Sequence, residues 1–236
     1  MTALLNADLR YLTHVGAETD IIFNRGIDLP EFSLYPFLET ENGRALITEY
    51  AKAQIAIAAQ AGLGTILETA TWMANVDRAA ALNYDGPALD RINAAAVSLL
   101  REASRDAQTP VLISGNLGPR SDAYAPTEQM NADDAAAYHS RQIASLREAD
   151  LISAYTLPYV AEAIGIARAA QGADMPVVIS FTVETDGRLP DGTTLRDAIA
   201  QCDAATDAAP LHYMLNCAHP DHFAQMLADG CAQYSM

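Results

Sequence analysis

Basic residues are scarce. Lys and Arg number 14 against 30 Asp and Glu, a formal net charge of −16. A nucleic-acid backbone demands cationic neutralisation, so the composition argues against such a partner. Cysteine is scarcer still: Cys202, Cys217 and Cys231 are the three in the chain. So sparse and odd a set argues against a disulfide scaffold and for a reducing, cytoplasmic setting. No apolar run approaches the ~18 residues of a membrane span, and no basic stretch leads into an apolar one at the start, so a membrane role is not expected. No low-complexity linker or composition break marks a boundary, and residues 1–236 read as one domain. What the chain has in plenty is apolar residues, 50% of its 236, enough for one sizeable core.

Those apolar residues fall into short runs separated by helical patterns. "TILET" (65–69), "PVLISGNLGP" (110–119), "ADLISAYTLP" (149–158), "PVVISFTVE" (176–184) and "LHYMLNC" (211–217) read as buried strands, nearly continuous in apolar residues as parallel strands covered on both faces are. "RYLTHVGAET" (10–19) is a weaker first strand. Helices are predicted over 43–62, 88–107, 131–149, 159–172, 193–205 and 220–230. Gly62 supplies a C-terminal stop, Asn131 an N-cap and Pro220 a first-turn proline. Leu89, Ile92, Ala96, Leu99 and Leu100 form one stripe. Residues 20–42, rich in proline and aromatics, read as an irregular segment folded over one end of the sheet.

Strand–helix alternation means a parallel sheet, either doubly wound or a (β/α)8 barrel. The best glycine-rich turn, "GLGT" (62–65), precedes a strand instead of opening a helix, so it lacks the dinucleotide-binding context. Polar residues gather at strand C-terminal ends: Glu18, Glu68, Asn116, Thr156, Glu184, Asn216 and Cys217. Both architectures place ligands there. Cys217 is followed by His219 and His222, which invites a local metal site; surface histidines near a helix start are the plainer reading. Trp72, the only tryptophan, fits core or lid packing, and Tyr138-His139 falls mid-helix in a structural position.

Several segments, in order and spacing, resemble the homocysteine S-methyltransferase family. They are "GAETDIIFNRGIDLPEF" (16–32), "LETATWMANVDRAAALNYD" (67–85), "ISGNLGPRSDAY" (113–124), "MNADDAAAYHSRQ" (130–142), "AEAIGIARAA" (161–170), "PVVISFTVETDGRLPDGTTL" (176–195) and "MLNCAHP" (214–220). The resemblance implies a (β/α)8 TIM-barrel fold, of which this chain holds about six of the eight β/α units that a closed barrel requires. It implies methyl transfer from a sulfonium or ammonium donor to a zinc-activated thiol, homocysteine becoming methionine. The Zn2+ of such enzymes is held by three cysteine thiolates, and Cys217 matches the first. The adjacent pair that supplies the other two has no counterpart up to Met236, so the chain is expected to be C-terminally incomplete. Gly16, Glu18, Thr19, Glu68, Asn116, Thr156 and Asn216 are the implied substrate-binding residues. Where the family reads "DGG", this chain has His14-Val15-Gly16. The expected partners are a small-molecule thiol and a methyl donor, together with self-association through exposed barrel edges. The alternative expectation is a catalytically inactive relative acting as a binding or interaction module.

Overall fold

The computed structural model describes residues 4–5, 8–13, 16–126 and 128–224. Its elements run β1 (Tyr11–Leu12), α1 (Ala17–Phe23), α2 (Glu41–Gln60), β2 (Gly64–Glu68), α3 (Val76–Ala81), α4 (Gly86–Ala103), β3 (Val111–Leu117), α5 (Ala132–Ser145), β4 (Leu151–Leu157), α6 (Val160–Gly172), β5 (Val177–Phe181), α7 (Leu195–Thr206) and β6 (Pro210–Leu215). A helical turn occupies 220–224, and the remainder of the predicted helix 220–230 lies outside the described residues, as do His14, Val15 and Cys231.

The strands are hydrogen-bonded in chain order, β1-β2-β3-β4-β5-β6. The β1–β2, β2–β3 and β5–β6 pairs are parallel. A doubly wound sheet would reverse its order at a switch point. Chain order with helical crossovers is instead the (β/α)8 barrel type, with six strands among the described residues.

The chain forms two compact units, Met1–Leu117 with Arg141–Ser153, and Gly118–Ser140 with Ala154–Met236. In the first, α2 covers β2. Thr40 caps α2 by accepting the Gly43 N–H at 3.1 Å. The helix ends as its sequence predicts: Gly62 takes a left-handed φ of 67°, and Leu63 N–H returns to the Ala58 carbonyl. Ile66, Leu67, Ile113, Leu89, Ile92 and Leu100 fill the core of this unit. In the second, α5 and α6 approach closely. A Cβ at Gly165 would overlap Ala135 and the backbone of Ala132, so only glycine fits. Asn131 caps α5 through its Oδ1, accepting from Asp133 and Asp134 at 3.0 and 2.9 Å.

Two expectations are revised. The first strand spans only Tyr11–Leu12 among the described residues, and Ala17–Phe23 is helical where the sequence pattern extends the strand to residue 19. Gly16, at φ 67° and ψ 47°, turns the chain, and Glu18 and Asp20 then sit in a first helical turn that favours negative charge. The irregular segment 20–42 includes the end of that helix and two short 3-10 turns, Pro30–Phe32 and Tyr35–Glu39. The short α3, capped by Asn75, also went unpredicted. Among the described residues no helix is long and apolar enough to cross a membrane.

Candidate functional site

In the first unit, a small cavity of about 50 Å³ opens among α1, α2 and the C-terminal ends of β2 and β3. Leu34, Ile47, Ala51, Leu67 and Leu100 give it apolar walls, while Glu18, Glu68, Thr69 and Asn116 give it polar ones. Asn116 is held tightly. Its N–H donates to Thr69 Oγ1 at 2.8 Å, and its carbonyl accepts from Thr71 Oγ1 at 2.8 Å. Because the Thr71 hydroxyl is spent on that carbonyl, the 2.7 Å contact between the two threonines is a Thr69 hydroxyl donating to Thr71. The backbone of Asn116 is therefore satisfied, yet its buried side-chain Oδ1 has no hydrogen-bond partner among the described residues. Two neighbours are already committed: Tyr50 donates to Asp20, and Gln54 donates to Thr65 Oγ1 and the Ile66 carbonyl.

The second unit holds Cys217 just past the end of β6. Its sulfur accepts from Asn216 Nδ2 at 3.3 Å and from Thr156 Oγ1 at 3.7 Å. Asn216 is oriented by four further contacts: its Oδ1 accepts from Ser180 Oγ at 2.7 Å and Thr156 N–H at 2.9 Å, its Nδ2 donates to Thr156 Oγ1 at 2.7 Å, and its backbone N–H donates to the Phe181 carbonyl at 3.2 Å. Thr156 and Cys217 both have left-handed backbones, φ 62° and 53°. Such a conformation is a genuine outlier for a β-branched residue and gathers at functional sites. The Tyr124 hydroxyl also reaches the Cys217 sulfur; burial first and that sulfur second push its pKa up to about 12.

Of the residues singled out in the sequence, Glu18, Glu68 and Asn116 line one cavity. Thr156, Asn216 and Cys217 form one hydrogen-bonded cluster. Gly16 serves as the turn before α1, and Thr19 is exposed and does not line the cavity. Glu184 is exposed. His219 and His222 stand with ring centroids 5.9 Å apart on a helix start. Trp72 packs edge-on against Phe32. Sequence reasoning missed Ser180, whose only signal was a hydroxyl within the apolar run "VVISF", and Tyr124, which closes the segment 113–124 without being singled out in it. It also missed Glu162. That carboxylate and His139 are both fully buried, 2.9 Å apart, and Glu162 Oε1 also accepts the Arg120 N–H at 2.7 Å.

The model of one protein family, homocysteine S-methyltransferase, matches residues 36–234. The chain belongs to that family. The homocysteine methyltransferase MmuM of Escherichia coli is similar in fold. Its metallated form aligns with a TM-score of 0.72 at 23% identity, over 90% of this chain and 75% of that one. The oxidized form gives 0.72 at 24%, over 90% and 74%. The apo form gives 0.66 at 22%, over 95% and 79%. No curated protein matches in sequence. The family fold puts ligand chemistry at strand C-terminal ends, where both the cavity and the sulfur cluster lie.

A catalytic zinc takes three protein ligands and leaves one position open. Cys217 offers one sulfur, and the groups around it, Asn216, Thr156 and Tyr124, are amides and hydroxyls engaged in hydrogen bonding. Among the described residues no three His, Cys, Asp or Glu side chains stand together to hold a metal. The described donor set does not fit a zinc site.

Proposed function

We propose that the protein is a thiol S-methyltransferase acting on a homocysteine-like acceptor, with the chain read as a single barrel domain. One observation carries this reading: in a member of the family, Cys217 stands at the C-terminal end of β6 with its sulfur held by Asn216 and Thr156. In the reaction, the acceptor sulfur attacks a methyl carbon on a sulfonium or quaternary ammonium donor. A new S–C bond forms as the donor's C–S or C–N bond breaks. The donor leaves as a neutral thioether or tertiary amine, and the thiol proton passes to solvent. Glu18, Thr19, Glu68 and Asn116 with Gly16, and separately Thr156 and Asn216, are the residues assigned to substrates. Cys217 is the residue assigned to a metal, one sulfur of a donor set that the described residues do not complete.

The test is methionine formation by the purified protein with added zinc, homocysteine and either an S-methylsulfonium or a trimethylammonium donor. Product should form with one donor class, and Cys217→Ser should lower the rate at least about tenfold, equivalent to ~1.4 kcal/mol in the barrier. Transfer untouched by Cys217→Ser, or no product from either donor, overturns the reading. A second reading, a non-catalytic module that binds the same small molecules, is favoured by the incomplete donor set. It predicts saturable acceptor binding with no turnover in the same assay.

A further inference from the structure

We propose that Glu162 and Tyr159 form a clasp on the chain between β3 and α5, and that the clasp makes Tyr124 a positioning residue for the Cys217 sulfur. The inference rests on the methyltransferase reading in one respect, since it takes Cys217 as the sulfur whose placement matters. All the residues concerned lie in the second unit. Four observations carry it. First, the clasp grips that chain on both sides of Tyr124. Glu162 Oε1 accepts the Arg120 N–H at 2.7 Å, and the Tyr159 hydroxyl accepts the Met130 N–H at 3.2 Å. Second, the clasp is itself fixed. Glu162 and Tyr159 are buried and hydrogen-bonded to each other, and His139 Nε2 on α5 lies 2.9 Å from the same Oε1. Third, the stretch between the two grips is shaped to present Tyr124. Asp122 Oδ1 accepts the N–H groups of Tyr124 and Ala125, each at 2.8 Å, which makes an Asx turn, and Ala123 is buried within it. Fourth, Tyr124 is 54% exposed, so packing does not fix its ring. Its hydroxyl is nonetheless hydrogen-bonded to the Cys217 sulfur, which leaves the turn and that contact as what place it.

The consequence is chemical. Asn216 Nδ2 and Thr156 Oγ1 already donate to the sulfur, and Tyr124 adds a donor from a third segment of chain. Donors stabilise a thiolate and fix the direction of its lone pairs, so the sulfur is oriented but less reactive toward an electrophile. Tyr124 is the donor most easily withdrawn, being exposed on a turn, whereas Thr156 belongs to a buried strand. Glu162 acts through the segment that carries Tyr124, so its loss is felt at Cys217 as the loss of the Tyr124 bond.

The experiment uses the full chain, without zinc or substrates, so that its outcome is separate from methyl transfer. Alkylation of Cys217 by iodoacetamide is timed by peptide mass spectrometry, which resolves it from Cys202 and Cys231. Rates are taken on the alkaline plateau, where the thiol is fully ionised and only the reactivity of the thiolate is read. Tyr124→Phe, which keeps the ring and removes the hydroxyl, should raise the rate about threefold, the size of one partly solvated hydrogen bond. Glu162→Ala should raise it by a similar factor, and Glu162→Gln, which keeps the acceptor, should restore it. The double variant Tyr124→Phe/Glu162→Ala should be no faster than Tyr124→Phe alone, because both remove the same bond. If Glu162→Ala fails to fold, as judged by its melting transition, Tyr159→Phe takes its place in the same comparison, since it loosens the other grip and keeps the buried ring. A rate unchanged by Tyr124→Phe, a Glu162→Gln rate as fast as that of Glu162→Ala, or effects that multiply in the double variant overturns the proposal. Failure there with methionine formation intact leaves the transferase reading standing.

Discussion

Asn216 is the residue on which the second unit's sulfur cluster depends. Its amide joins Ser180 on β5, Thr156 at the end of β4 and Cys217 after β6. Asn216→Ala leaves the Ser180 hydroxyl and the Thr156 N–H without an acceptor, and we expect a loss of about 2–3 kcal/mol in urea unfolding. Asn216→Asp keeps the acceptor and should cost less; an equal cost would show that the acceptor bonds are not what holds the cluster. Glu162 plays a comparable part beneath the α5–α6 packing. Glu162→Ala strands a fully buried His139 and frees the Arg120 N–H, and should cost about 3 kcal/mol in the same measurement. A loss below roughly 0.5 kcal/mol, the size typical of surface changes, would contradict the buried geometry. Cys217, Asn216 and Thr156 could be named from the sequence, because polar residues ending apolar runs stand out. Ser180, Tyr124 and Glu162 could not, because a residue inside a strand, a loop or a helix gives no sign of what it will face.

At the scale of elements, α6 gives a paired test. At Gly165 an added methyl would meet α5, and Gly165→Ala should destabilise by about 1–3 kcal/mol through overpacking. At Gly172, the last residue of the same helix, nothing lies within 4 Å of an added Cβ. There Gly172→Ala should be neutral or stabilising by up to about 1 kcal/mol, through the restricted unfolded chain. Melting temperatures moving in the same direction for both variants would refute the close α5–α6 approach. The sequence located five of the six strands to within a few residues, because buried parallel strands are continuous apolar runs between polar turns. It extended the first strand into residues that form α1 and gave no sign of α3. Both helices are under eight residues, too short for a 3.6-residue period to declare itself.

For the molecule as a whole, charge and protonation set the conditions of stability. His212 is half-buried, and burial disfavours its imidazolium, holding its pKa below the ordinary 6.5. Its contribution is fully present above pH 6.5 and is lost as pH falls toward the folded value, because the unfolded chain then takes up a proton that the folded one resists. Stability should decline with acidification across that window, and His212→Gln should flatten that part of the curve; an unchanged profile would exclude His212 as the cause. A net charge of −16 opposes compaction by self-repulsion, so the melting temperature should rise as salt screens it over a Debye length of ~10 Å at 0.1 M. A melting temperature that falls with salt would argue that specific ion pairs outweigh the repulsion. Composition and the order of apolar runs determined by themselves that the chain is α/β with parallel strands, and the motifs in series determined its family, since both follow from local pattern. Only the tertiary structure decided that Glu18, Glu68 and Asn116 share a cavity while Thr19 stands outside it, and that Thr156 and Asn216 hold the Cys217 sulfur. Strand register and crossover geometry bring together residues far apart in the chain, such as Thr156 and Cys217, 61 positions apart, and no local sequence signal encodes that distance.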